Sequence, residues 1–257
     1  MTPLFLVTRR DPADDALVDE AYASGFIVVR EALLATEPGP DVRWLDERLG
    51  EIPEGTGLAW TSRRAAEALV QALPRDRAKL ARVPMYAVGE ESAEPLRSAG
   101  FSPLVPAEPL GAAVLAQFIA SRASQDRLRR VVILHGNRSL PDLSDGLRAR
   151  GIDVEFLEVY RTRFLNADFG GIDVALEEGT GIIAAFFSPS GVEAFERLLS
   201  PKSCARFRKR AAAIARGLVT AAALHRRGYR NVLGFEPGAP FSRYAQRALE
   251  ATSGGRR

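Results

Sequence analysis

Residues 131–138 read Val-Val-Ile-Leu-His-Gly-Asn-Arg, and residues 4–10 read Leu-Phe-Leu-Val-Thr-Arg-Arg. Each begins as a short apolar run and breaks into a small or polar turn. Each is followed by an amphipathic stretch that stops at a glycine, Gly151 in one case and Gly25 in the other. From there the two halves keep step. Phe-Ile-Val-Val follows Gly25, and Ile-Asp-Val-Glu-Phe-Leu follows Gly151. Ser62 lies 37 residues after Gly25, and Ser188 lies 37 residues after Gly151; each serine closes an apolar run, Leu58 to Thr61 and Ile182 to Phe187. Gly89 and Gly217 are each followed eleven residues later by a glycine, Gly100 and Gly228. The offset between halves is 126 residues and then 128, so one two-residue indel relates them. Internal repetition of this kind sets the architecture before local propensity does.

Each half alternates apolar strand, polar turn, amphipathic helix, glycine stop and strand. Ala65 to Leu73 and Val192 to Leu199 carry helical apolar spacing, as do Ala93 to Leu96 and Ala221 to Leu224. Gly25, Gly100, Gly151 and Gly228 stand where a helix end wants a left-handed residue. Strands alternating with helices make parallel sheets covered on both faces. The repeat therefore predicts two similar α/β domains.

In open parallel sheets, ligands bind beyond the carboxyl ends of the strands, where turns enter helices. Six such turns are legible: Thr8-Arg9-Arg10, Thr61-Ser62-Arg63-Arg64, Gly89-Glu90-Glu91-Ser92, Gly136-Asn137-Arg138-Ser139, Ser188-Pro189-Ser190-Gly191 and Gly217-Leu218-Val219-Thr220. Hydroxyls, glycines and arginines dominate them. Helix starts with small side chains present free N–H groups that bind carboxylate or phosphate. A serine or threonine at one such turn is adequately explained as a helix N-cap. Six in one repeat point to an anionic ligand with several acidic groups.

Composition closes off other classes. The 257 residues are 46% hydrophobic and 26% charged, which is ordinary globular usage. Cys204 is the sole cysteine and His135 and His225 the only histidines, which excludes an intrachain disulfide and argues against a metal centre. His135 follows a strand, where contact with a ligand is the less favoured of its two readings; His225, beside Arg226 and Arg227, reads as a surface residue. Apolar runs are too short to span a bilayer, and the first residues lack the charge order of a secretory signal. A cytoplasmic protein without membrane contact is expected. Net charge is +3, and the cluster Arg206, Arg208, Lys209, Arg210 lacks interleaved aromatics, so it reads as a solvated helix face with no nucleic acid implied. Gly55-Thr-Gly57 and Gly179-Thr-Gly181 precede strands, which speaks against a dinucleotide site; no phosphate-loop lysine motif occurs. Ser188 lacks the preceding glycine of a nucleophile elbow.

Phe186-Phe187-Ser188-Pro189-Ser190-Gly191, Val159-Tyr160-Arg161-Thr162, Val7-Thr8-Arg9, Ala87-Val88-Gly89 with Ser92-Ala93, and Gly217 with Thr220-Ala221 occur in that content and spacing across the whole chain. This set resembles the uroporphyrinogen-III synthase family. Departures are Ser92 for a usual threonine, Arg63 for a common proline, and Leu218-Val219 for Pro-Thr.

The resemblance implies two α/β domains joined by a two-stranded linker, with the chain crossing between them twice. Residues 1–32 would join 167–257 in one domain, 38–157 would form the other, and 31–38 with 158–164 would link them. It implies a cofactor-free lyase acting on hydroxymethylbilane, an anionic tetrapyrrole with eight carboxylates, bound in the cleft between domains. The substrate loses its hydroxyl as water to give an azafulvene and closes at the substituted carbon of ring D. The spiro intermediate then fragments and recloses with ring D inverted. Thr8, Arg9, Ser62, Arg64, Ser92, Asn137, Ser188, Ser190, Gly191 and Thr220 are the expected substrate contacts, and no metal ligand is expected. Tyr160 is either the general acid for the departing hydroxyl or a linker aromatic that packs one domain on the other. A monomer is expected, with substrate handed over from hydroxymethylbilane synthase. Two other readings stay open: a two-lobed tetrapyrrole binder or regulator with impaired turnover, which Leu218-Val219 favours, and a bilobed solute-binding module, which the lack of an export signal disfavours.

Overall fold

The computed structural model describes residues 2–50, 52–73, 80–107, 111–169, 171–236 and 239–246. The strands are β1 (Leu4–Val7), β2 (Ile27–Arg30), β3 (Leu34–Pro38), β4 (Thr56–Trp60), β5 (Met85–Ala87), β6 (Arg130–Gly136), β7 (Asp153–Phe164), β8 (Ile182–Phe186), β9 (Ala212–Ala215) and β10 (Asn231–Gly234). The helices are α1 (Asp15–Ala23), α2 (Val42–Gly50), α3 (Arg63–Gln71), α4 (Glu90–Ser98), α5 (Ala112–Arg122), α6 (Asp142–Arg148), α7 (Ile172–Glu178), α8 (Pro189–Leu198), α9 (Pro201–Arg210) and α10 (Leu218–Arg226). The chain divides into two units, Met1–Ala35 with Arg163–Arg257, and Thr36–Thr162. The stretches 247–257, 74–79 and 108–110, assigned above to one or other expected domain, lie outside the described residues.

The first unit holds a parallel sheet in the order β10-β9-β8-β1-β2. Apolar residues on its strands alternate between two cores, because side chains on an extended strand alternate faces. Leu4 and Leu6 of β1 enter one core with Ile182, Ala184 and Phe186 of β8; Phe5 and Val7 enter the other with Ile183 and Ala185. Both faces are thus buried under helices, which is why these strands read as continuous apolar runs. The basic cluster expected to be solvated is largely spoken for. Arg206 pairs with Glu177 at 3.2 Å, Arg208 with Glu196 at 2.8 Å, and Arg210 donates to the Leu176 carbonyl. Glu196 of α8 also takes Arg227 at 2.6 Å, so one half-buried carboxylate ties α8 to α9 and to the end of α10.

The second unit holds the order β3-β7-β6-β4-β5, with β7, β6, β4 and β5 mutually parallel. Its cores divide in the same way, Leu58, Trp60, Val132 and Leu134 on one side and Ala59, Val131 and Ile133 on the other. β3 runs beside β7 with Leu165 N–H donating to Leu33 O at one end and Gly39 N–H to Val159 O at the other. Residue numbers rise on one strand as they fall on the other, so this pair is antiparallel.

The repeat is kept in the hydrogen-bond register. Adding 126 to Leu4 and Ile27, which face each other across β1 and β2, gives Arg130 and Asp153, which face each other across β6 and β7. The pair Leu4 and Ile182 maps in the same way onto Arg130 and Thr56. Each sheet is therefore built from the front of one repeat and the back of the other. The four helix-ending glycines Gly25, Gly100, Gly151 and Gly228 adopt φ of +80°, +90°, +74° and +84°, a region where a side chain is strained.

Candidate functional site at the carboxyl ends of the strands

In chain order the first sheet reads 2-1-3-4-5, the doubly wound order whose ligand crevice lies where the direction of sheet growth reverses. That point falls between β1 and β8. In the second sheet β7-β6-β4-β5 repeat the 2-1-3-4 part of that order, a single bridge from Tyr86 to Leu104 stands where a fifth strand would lie, β3 is added outside β7, and the reversal falls between β4 and β6. Thr8, Arg9, Ser188, Ser190 and Gly191 lie at the first of these places and Ser62, Arg64 and Asn137 at the second, while Ser92 and Thr220 follow β5 and β9.

In the first unit, Thr8 leaves β1 beside Ser188, which leaves β8. The Thr8 hydroxyl donates to the Ala185 carbonyl at 2.7 Å and is 5% exposed. Ser188 is the N-cap of α8: its Oγ accepts from the Gly191 N–H at 3.1 Å and lies 3.1 Å from Ser190 Oγ. A Cβ added to Gly191 would meet Ser188 Oγ at 3.4 Å and Thr8 Oγ1 at 4.0 Å, so these groups form one cluster. Arg9 is engaged within the unit. Its guanidinium forms two bonds to the buried Asp14 carboxylate, at 2.5 and 2.8 Å, and stacks 3.9 Å from the Phe187 ring. Nearby, the Ala13 N–H and the Arg9 charge hold the Asp11 carboxyl below its usual range. Thr220, at the start of α10, is 3% exposed, whereas Leu218 and Val219 just before it are 89% and 70% exposed. Gly217 gives α10 no side-chain cap, which leaves first-turn amides for solvent or ligand.

In the second unit, Ser62 ends β4 and caps α3 by accepting from the Arg64 N–H at 3.2 Å. Arg64 itself is exposed, and its guanidinium reaches Thr162 Oγ1 at 3.4 Å. Asn137, after β6, holds the backbone of Thr162 on both sides: Oδ1 accepts its N–H at 2.9 Å and Nδ2 donates to its carbonyl at 3.3 Å. Tyr160 lies two residues before Thr162 on β7, opposite Gly136. Arg64, Asn137, Tyr160 and Thr162 thus come together. Ser92 stands apart at the start of α4, 8% exposed, its carbonyl bonded by the Trp60 indole at 2.7 Å. Thr162 is the member missed from sequence, although period two along a strand puts it on the side of Tyr160. His135 is half-buried, with Nδ1 at the Gly136 carbonyl and its ring against the exposed Phe156. A cavity of about 490 Å³ in this unit lies at the opposite, amino ends of the strands, lined by Thr56, Arg130 and Glu155, away from these turns.

Among the described residues, no group of three or more His, Cys, Asp or Glu side chains is placed to hold a metal ion, and no helix is long and apolar enough to cross a membrane. Two doubly wound α/β units, each with a capped helix start at its switch point, define the class of the fold: a chain of two similar α/β units. Residues 15–235 match the family model described as uroporphyrinogen-III synthase HemD. The chain belongs to the uroporphyrinogen-III synthase family, cyclising lyases of tetrapyrrole biosynthesis that close hydroxymethylbilane to uroporphyrinogen III. Its fold is similar to that of a mutant uroporphyrinogen III synthase from Thermus thermophilus, at 22% identity over 97% of this chain and 99% of that one, with a TM-score of 0.71. It is also similar to the uroporphyrinogen-III synthetase of Helicobacter pylori, at 18% identity over 100% of both chains, with a TM-score of 0.54. A search of curated proteins gave no match.

Proposed function

We propose that the family reaction is run here from two carboxylate-binding rims, with Tyr160 assisting loss of the hydroxyl. The observation that carries this reading is the gathering of hydroxyl, glycine and arginine groups at both switch points. In the first rim, the Ser188 and Ser190 hydroxyls beside Gly191 and the uncapped start of α10 receive the anionic side chains. In the second, the exposed Arg64 guanidinium, beside the Thr162 hydroxyl and Tyr160, supplies the positive charge. Thr8, Asn137, Ser92 and Thr220 support these turns from beneath, and Arg9 serves by fixing Asp14.

The substrate expels its own hydroxyl through an electron-rich pyrrole, so the protein's main contribution is conformational: it holds the chain of rings so that the azafulvene carbon meets the substituted carbon of ring D. Tyr160 donates a proton to the leaving hydroxyl, and water departs. The chain acts as a monomer in the cytoplasm and receives hydroxymethylbilane from the synthase that makes it.

The test is to generate hydroxymethylbilane in the same vessel with its own synthase and resolve the product isomers by chromatography. The inverted isomer is the expected product. The uninverted isomer alone, at the spontaneous rate, would overturn the reading in favour of an impaired tetrapyrrole binder. The exposed Leu218 and Val219, in a turn where the family carries polar contacts, favour that second reading.

A further inference from the structure

Between His135 and Gly136 the β6–β7 register slips: His135 faces Glu158, but Gly136 faces Tyr160. Val159 is thereby bulged, and a bulge re-aims the side chain that follows it. Both sides of the bulge are fastened. Gly39 N–H donates to the Val159 carbonyl at 3.1 Å, the Asp41 carboxylate accepts the Glu158 N–H at 2.7 Å, and Asn137 clamps Thr162. Gly39 has no room for a side chain there: an added Cβ would overlap the Glu158 carbonyl oxygen and lie 2.8 Å from Tyr160 N.

Gly136 is constrained differently. Its φ is not in the left-handed region, so its backbone is open to any residue. Yet a Cβ at this position would overlap the edge of the Tyr160 ring at Cε2 and Cζ and come within 2.9 Å of the hydroxyl oxygen. The space a side chain would take is filled by the phenol. We propose that Gly136 is a positioning residue for Tyr160: its bare Cα seats the ring against the end of β6, while the bulge and its fastenings fix the approach. This rests on the reading of Tyr160 as the acid, but the seating itself is a geometric claim that is tested separately.

Gly136→Ala should displace the ring by the width of a methyl group. Misplacement of that size lowers kcat by about tenfold or more, with KM little changed. In a Tyr160→Ala background the seat is empty, so the added methyl should cost nothing further in kcat. The phenolic carbon resonance of Tyr160, assigned by its loss in Tyr160→Phe, should move in Gly136→Ala protein. If Gly136→Ala folds only when Tyr160 is also alanine, the same steric relation is shown. A wild-type kcat with an unmoved resonance, an equal loss in both backgrounds, or unfolding in both, would overturn the proposal. A moved resonance together with full activity in Tyr160→Phe would remove the acid and leave the seat.

Discussion

Tyr160 is where the reading of single residues is most exposed to failure. A phenol hydroxyl is one of the side-chain groups that serve as general acids. Because the pyrrole already drives the hydroxyl out, Tyr160→Phe should lower kcat by about tenfold to a hundredfold and leave the product mainly inverted. Single-turnover synthesis with isomer analysis measures this, beside a melting curve; a wild-type rate would make Tyr160 a packing aromatic. Gly191 offers a second test. The nearest atoms to an added Cβ are two hydroxyl oxygens at ordinary contact distance, so Gly191→Val should melt near the wild-type temperature yet lose ligand titration. Normal binding would confine this segment to packing. At this scale the sequence was partly legible. Ser62 and Ser188 stood out as turn residues, and both are caps. Arg9 did not reveal its partner, because Asp14 becomes its neighbour only through the short turn from Pro12 to Asp14. Nor did Asn137, whose pairing with Thr162 spans 25 residues and depends on the bulge.

At the scale of elements, α8 carries two separable duties, a capped start and a buried anchor. Ser188→Ala should lose about 1 kcal/mol of stability by removing the cap. Ser188→Asp keeps a capping oxygen and should keep that stability, but its negative charge opposes carboxylates and should raise KM several-fold. Equal KM values for the two variants would show that Ser188 only caps. At the anchor, burial pushes the Glu196 carboxyl up, but bonds and charges from Arg208 and Arg227 outweigh it and hold it below its ordinary value of 4.5. Its contribution is therefore present above about pH 4.5 and lost as pH falls through the lower folded value. Urea titrations should show wild type more stable than Glu196→Gln at neutral pH, with the gap closing in acid; a constant gap would discount the pairing. Elements were the most legible level. Apolar runs marked β1, β6 and β8, and all four glycine stops have positive φ, because strand burial and helix termination are local demands. β3 was not readable from propensity, since its Leu-Ala-Thr-Glu-Pro owes its extension to pairing with β7.

For the molecule as a whole, binding is a question of charge. Carboxylates held by exposed arginine and turn amides are screened by salt, and the Debye length falls from about 30 Å at 0.01 M to about 3 Å at 1 M. KM should rise steeply over that range while kcat stays level, and Arg64→Ala should raise KM and flatten the salt dependence. An unchanged KM in that variant would take Arg64 out of the rim.

The exchange of halves between sheets also dictates an order of events as the polypeptide is made. Residues 36–162 are contiguous, so their sheet has all its parallel strands once β7 has emerged from the ribosome. β1 is placed otherwise: its partner β8 lies 178 positions downstream, Leu4 against Ile182, and its five-stranded sheet closes only with β10. On that side β1 must therefore wait, uncovered, until β8 has been made, as an edge open to mispairing. A chain ended and released at residue 170 should protect 36–162 from protease and leave 1–35 cleavable.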